Sequence, residues 1–194
     1  MYSPLLQHIS RYVSLDQNEE ALIAQKLKYL QLKKKEIVLS QGKICRSSYF
    51  ILKGCLRLYF FNDKGAEQTT QFAIENWWIS DYNSLENKVP SEFQIQAVEA
   101  SEVIAFDKEI QDSLFELVPK LERYFRLILQ RAYAASQVRT KINYTMSREA
   151  QYHLFSTAFP EFVQRVPQYM LASYLGFTPE FLSKIRARKV KKIS

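Results

Sequence analysis

The apolar residues of the chain change period several times, and each change predicts an element. Over residues 14–30, Leu15, Leu22, Ile23, Leu27 and Leu30 recur at helical spacing behind Ser14, a side chain able to cap a first turn. One helix is expected there. From 36 to 107 the texture becomes short β-rich runs at 36–39, 49–52, 55–61, 67–73, 93–98 and 103–106, separated by Ser, Asn, Asp and Gly. Short strands at this spacing predict a small antiparallel barrel or roll. Gly42 and Gly54 bracket one run, and Asn62-Asp63-Lys64-Gly65 reads as a hairpin turn between two others. Helical spacing returns at 107–117, and a second helix opens at Pro119, whose missing N–H would be unpaired at that position anyway.

In this second helix Leu121, Tyr124, Ile128, Arg131, Ala135, Val138 and Ile142 alternate steps of three and four. A 3.5-residue repeat makes one narrow seam, as in a coiled coil. Leu121, Tyr124, Ile128, Ala135 and Val138 are therefore expected to face a second copy of the chain. The competing possibility is a helix packed on its own domain. Arg131 is the polar exception in the seam, and its stem can snorkel.

Charge adds a direction to this pattern. The net charge is +7, and residues 139–194 carry ten basic against three acidic residues, so the whole excess lies in this last part. A polyanion partner is implied for it, with a merely solubilising tail as the alternative. No apolar run reaches the ~18 residues of a membrane span, and no secretory signal is visible at the N-terminus. Cys45 and Cys55 form no CxxC pair, which suits a cytoplasmic protein with reduced thiols.

The basic part contains the most specific pattern, running from Gln168 to Arg186. Leu171, Ala172 and Leu175 give one short helix an inner face, with Ala172 small where two helices must cross. Gly176 allows the turn, Phe177 plugs the corner, Thr178 is an N-cap and Pro179 a first helical residue. Leu182 and Ile185 anchor a second helix, whose outer face keeps Glu180, Ser183, Lys184 and Arg188. This is the spacing of a helix-turn-helix, whose second helix enters the major groove. Glu180 and Lys184 suit base edges, Glu by accepting from cytosine N4 and Lys by donating to guanine. An ordinary i,i+4 surface pair is the plainer alternative for them. Thr178, Ser183, Arg188, Lys189, Lys191 and Lys192 suit phosphate oxygens.

These residues resemble the CRP/FNR family of bacterial regulators. Leu39-Ser-Gln-Gly42 followed by Tyr49-Phe-Ile-Leu-Lys-Gly54-Cys-Leu-Arg-Leu-Tyr59 is similar to its β-roll signature, and Leu175-Gly-Phe-Thr-Pro-Glu-Phe-Leu-Ser-Lys-Ile185 to its recognition motif. The resemblance implies an α+β fold: a β-roll sensor domain over 1–118, a dimerisation helix over 119–142 and a helix-turn-helix domain over 143–194. It also implies a homodimer on a palindromic operator, with RNA polymerase as a partner. Glu180 keeps the family's Glu, Lys184 stands where many members carry Arg, and Pro179 replaces another Arg. The chain stops at Ser194, where the family continues into a β-hairpin wing, so an absent or reduced wing is expected.

Nucleotide-binding members carry Gly-Glu and, further on, Arg-Ser. The corresponding segment 78–93 has neither Gly nor Arg, and residues 75–102 hold six acidic residues against Lys88. A cyclic phosphate needs donors and positive charge, so an effector other than cAMP is expected. Trp78, Tyr82 and Phe93, with Ser136 on the long helix, are candidates for its pocket, and Trp77 is a further aromatic nearby. A core role is the alternative for these aromatic residues. Two cysteines are too few for an iron–sulfur cluster, which takes about four. His8 and His153 lack metal-ligand spacing. No cofactor or metal is expected, and no nucleophile–base pair or phosphate loop suggests an enzyme. The competing function is a ligand-binding or protein-interaction module whose DNA binding is lost or non-specific.

Overall fold

The structure, a computed structural model, describes residues 2–191, with side chains as far as Ala187. It opens with α1 (Ser3–Ser10), which the sequence reading passed over although Leu5, His8 and Ile9 sit one turn apart and are all buried. Helix α2 (Gln17–Lys26) is capped by Asp16, not Ser14. The Asp16 carboxylate accepts from the amides of Asn18 and Glu19, and the Glu19 side chain accepts from the Asp16 amide.

The helix expected over 14–30 ends early. Residues Lys28–Leu32 are strand β1, paired residue by residue with the last strand of the roll, from Lys28 opposite Ala105 to Leu32 opposite Ser101. Without β1 that strand would expose a row of unpaired backbone groups, and pairing overrides the local helical spacing.

The remaining strands are β2 (Ile37–Leu39), β3 (Ser47–Lys53), β4 (Leu56–Phe61), β5 (Glu67–Ala73), β6 (Trp78–Ile79), β7 (Gln94–Ala97) and β8 (Ser101–Asp107), with α3 (Tyr82–Asn87) between β6 and β7. They form two four-stranded sheets, β1-β8-β3-β6 and β2-β7-β4-β5. The pairings β1–β8, β3–β8, β3–β6, β2–β7 and β4–β7 are antiparallel. This is the expected roll. Alternation along β3 and β8 feeds two cores. Tyr49, Ile51, Val103 and Ala105 join Leu39, Leu56, Leu58, Ile79 and Ile95. Phe50, Ile104 and Phe106 join Leu5, Ile9, Ile23, Leu114 of α4 (Lys108–Leu117), and Leu121, Tyr124 and Phe125 of α5 (Lys120–Thr145).

The chain divides into two compact units, Met1–Phe60 with Gln71–Ala132, and Phe61–Thr70 with Tyr133–Ser194. Helix α5 runs through both. In the first unit Leu121 and Tyr124 are fully buried in their own core. This corrects the seam. Neither can meet a second copy without unpacking that core, so the solvent-facing part of the repeat starts beyond Ile128, itself partly packed on the same cluster. Ala135 and Val138 are exposed.

Gly54 shows how tightly the roll is closed. Its φ is +103°, and an added Cβ would stand 2.2 Å from Ser101 Oγ and 2.7 Å from Ser101 Cα. Strain and overlap act together in Gly54→Ala, which is expected to cost on the order of 2–5 kcal/mol in unfolding free energy, measured by denaturant melts.

Candidate nucleic-acid interface

The second unit is built on a small apolar cluster. Tyr152 of α6 (Arg148–Ala158) and Val163 of α7 (Pro160–Arg165) pack with Leu171 and Ala172 of α8 (Gln168–Leu175), Phe177, and Leu182 and Ile185 of α9 (Pro179–Lys191). Ala172 is completely buried, so its small volume sets how closely neighbouring groups approach. Helix α8 stops at Gly176, whose φ of +73° and ψ of 30° lie in the left-handed region. The Phe177 amide returns to the Ala172 carbonyl at 2.8 Å, and the buried Phe177 ring closes the corner.

Helix α9 then starts as its residues dictate. Thr178 Oγ1 accepts from the Phe181 amide at 3.2 Å, and Pro179 is the first helical residue. Leu182 and Ile185 face the cluster. Glu180, Ser183, Lys184 and Arg186 are exposed on the side away from it. Arg186 was left out of the contact set read from the sequence, although its exposure and charge qualify it. Glu180 is tied into its own first turn. Hydrogen bonds from its own amide and from the Thr178 hydroxyl, with Lys184 nearby, hold its carboxyl below the usual range. The side chains of Arg188, Lys189 and Lys191, and all of Lys192, lie outside the described residues.

Residues 61–70 belong to this unit and brace α8. Ser173 Oγ accepts from the Thr69 amide at 2.8 Å and donates to the Glu67 carbonyl at 2.7 Å, and Gln68 Nε2 donates to the Ser173 carbonyl. Arg139 of α5 donates to the carbonyls of Thr70 at 2.5 Å and Tyr174 at 2.7 Å, with its guanidinium stacked 3.8 Å from the centre of the Tyr174 ring. Nothing local in the sequence marks Ser173 or Arg139, because their partners are backbone atoms 35 to 106 residues away.

Residues 29–117 match the family model of the cyclic nucleotide-binding domain. Among solved structures, the c-di-GMP responsive global regulator CLP of Xanthomonas campestris is 12% identical, with a TM-score of 0.74 over 91% of this chain and 93% of that one. FixK2 from Bradyrhizobium japonicum is 13% identical, with a TM-score of 0.70 over 86% and 85%. The Thermus thermophilus catabolite activator protein is 17% identical, with a TM-score of 0.58 over 95% and 87%. No curated relative matches the sequence. The fold is that of the CRP/FNR regulators.

Within this CRP-type roll the candidate pocket residues are spread out. Trp78 packs in the helix-side core, whereas Tyr82 and Phe93 pack, half-buried, against the inter-sheet core. Burial pushes the Tyr82 hydroxyl up to about 12. Ser136 is exposed on α5, in the second unit. Trp77 is half exposed, at 50%. The short α3 carries its own anion. Asp81 Oδ1 accepts from the amides of Asn83 at 3.1 Å and Ser84 at 3.2 Å, and Asp81 Oδ2 accepts from the Ser91 hydroxyl at 2.6 Å. Ser84 Oγ accepts from the Cys45 amide and donates to the Val89 carbonyl.

Among the described residues no group of three or more His, Cys, Asp or Glu could hold a metal ion. No described helix is long and apolar enough to cross a membrane.

Proposed function

We propose that the chain is a sequence-specific DNA-binding transcription regulator, active as a homodimer, whose β-roll senses a small molecule other than cAMP. One observation carries the reading. A helix-turn-helix with a buried, turn-defined inner side leaves a polar and basic α9 face in solvent, within the part of the chain that holds the whole positive excess. In this reading residues 1–118 sense, 119–142 dimerise and 143–194 bind DNA.

Lys184 reads a base edge, and Glu180 does so once its first-turn hydrogen bonds are exchanged for a base. Thr178, Ser183, Arg188, Lys189, Lys191 and Lys192 hold phosphates. RNA polymerase is a partner by analogy of fold alone. Tyr82 and Phe93, with Trp78, remain the proposed effector residues of the first unit. The engagement of Glu180 in its own helix cap favours one other reading, a β-roll module whose DNA binding is non-specific.

Asp81 supports the exclusion of cAMP. The amides that start α3 are already bonded to a fixed carboxylate, and a phosphate brought there would meet a like charge. Titration calorimetry with cAMP is expected to show no binding at micromolar concentrations, and micromolar or tighter affinity would overturn this.

The dimer is testable on the free half of the long helix. Ala135→Asp with Val138→Asp places charges that are solvated in a monomer but buried in an interface. Light scattering is expected to give the monomer mass, and an unchanged dimer mass would remove the seam.

A dimer presenting two α9 helices needs major grooves on one side of the duplex, hence half-sites about one turn, ~34 Å, apart. Lys184→Ala is expected to cost about 1–3 kcal/mol on the cognate site and to relax preference at one position. Neutralising Lys189, Lys191 and Lys192 should instead weaken all sequences and flatten the salt dependence. Selection from a random DNA library that enriched no motif, or a Lys184→Ala loss equal on every sequence, would leave the non-specific reading.

A further inference from the structure

His8 is a buried, titratable side chain that the proposed function does not use. It lies on α1 at 6% exposure, inside an aromatic cluster of the first unit. Tyr12 and Phe50 each stand 5.4 Å from it, centroid to centroid, and Tyr124 stands edge-on at 5.7 Å. Its Nδ1 is 2.7 Å from the Tyr124 hydroxyl, and that same hydroxyl oxygen is 2.8 Å from Trp78 Nε1.

The chemistry of the three groups orders the protons. An indole N–H only donates, so Tyr124 Oη accepts from Trp78. Its own proton must then find an acceptor in a buried site, and His8 Nδ1 is the one in reach. The chain runs Trp78 to Tyr124 to His8, and it closes only with His8 neutral and its proton on Nε2. The three residues come from β6, α5 and α1, so the chain ties the start of the long helix to the roll and to the N-terminal helix.

We propose that this chain is an acid-sensitive latch on the first half of α5, closed by neutral His8 and opened when a proton from solvent binds Nδ1. The added proton takes the place of the one Tyr124 donates, so the Tyr124 O–H loses its acceptor. The new imidazolium also meets like charges. Arg11 caps the C-terminal end of α1 and Arg131 lies on α5, where Arg131 donates to the Tyr12 hydroxyl at 2.6 Å. Phe50 of β3 and Trp78 of β6 present only apolar ring and indole, and Tyr82 bears on Tyr124 only electrostatically, as a phenol neutral at acid pH.

Burial, then Arg11, then Arg131 lower the affinity of His8 for a proton below that of an ordinary imidazole. The sign follows. Neutral His8 contributes stability that is complete above about pH 6.5, the ordinary imidazole value, and is lost as pH falls from there through the depressed folded value.

The chain has two histidines, so an NMR pH titration of the full-length protein reads both, with His153→Gln assigning them. His8 is expected to titrate below 6.5, and titration at or above 6.5 would overturn the latch. His8→Asn keeps an acceptor near Nδ1 and cannot ionise. Between pH 6.5 and 5.5 the unfolding constant of the wild type should rise up to about fivefold more than that of His8→Asn. Parallel loss in the two proteins would sink the proposal. Should His8→Asn fail to fold, Tyr124→Phe keeps the ring and removes the donated proton. The His8 titration should then move upward, and an unmoved one counts against the latch. None of these readouts involves DNA or an effector, so they fail or succeed apart from the regulator reading.

Discussion

Strands β3 and β8 are apolar on both faces, and a strand of that kind must be covered twice. One face, with Ile51, Val103 and Ala105, is closed by the second sheet of the roll. The other, with Phe50, Ile104 and Phe106, is closed by α1, α4 and the first turns of α5. A fully buried side chain of this size is worth about 1.5–3 kcal/mol relative to exposure, so neither cover is optional. The helices that surround the roll are consequences of that requirement. The long helix is committed to its own chain where it carries Leu121, Tyr124 and Phe125, and it presents Ala135 and Val138 to solvent only after that commitment ends.

The second unit solves a smaller problem with a smaller core. Seven buried residues hold the helix pair, and the turn between its helices depends on a left-handed backbone at Gly176. Because Leu182 and Ile185 are used inward, the helical period sends Glu180, Ser183 and Lys184 outward together. The polar face proposed for DNA is therefore the remainder after packing. Ser173 and Arg139 steady α8 through backbone carbonyls and an amide, contacts indifferent to the identity of the residues that supply them.

The roll shows the same economy at α3. A segment inside the match to a cyclic nucleotide-binding domain bonds the amides of Asn83 and Ser84 to its own Asp81. The anion that completes this turn is part of the chain, and Ser91 fixes its orientation.

Local pattern was enough for the antiparallel roll, the long helix and the two helices around Gly176. Each rests on a period, a cap or a left-handed turn that a few neighbouring residues decide. The excess charge after residue 138 was equally plain. Where a residue's partner is distant, local spacing misled. Residues 28–30 continue a helical spacing but belong to the strand Lys28–Leu32, because β8 offers it a full ladder of backbone partners. Leu121 and Tyr124 fit a seam, yet they are drawn into their own core. A 3.5-residue repeat records which side of a helix is apolar and leaves open what will cover it. The His8–Tyr124–Trp78 chain and the Ser173 brace join residues about 50 to 120 positions apart. Such contacts exist only once packing has brought the elements together, and so the tertiary structure alone decided them.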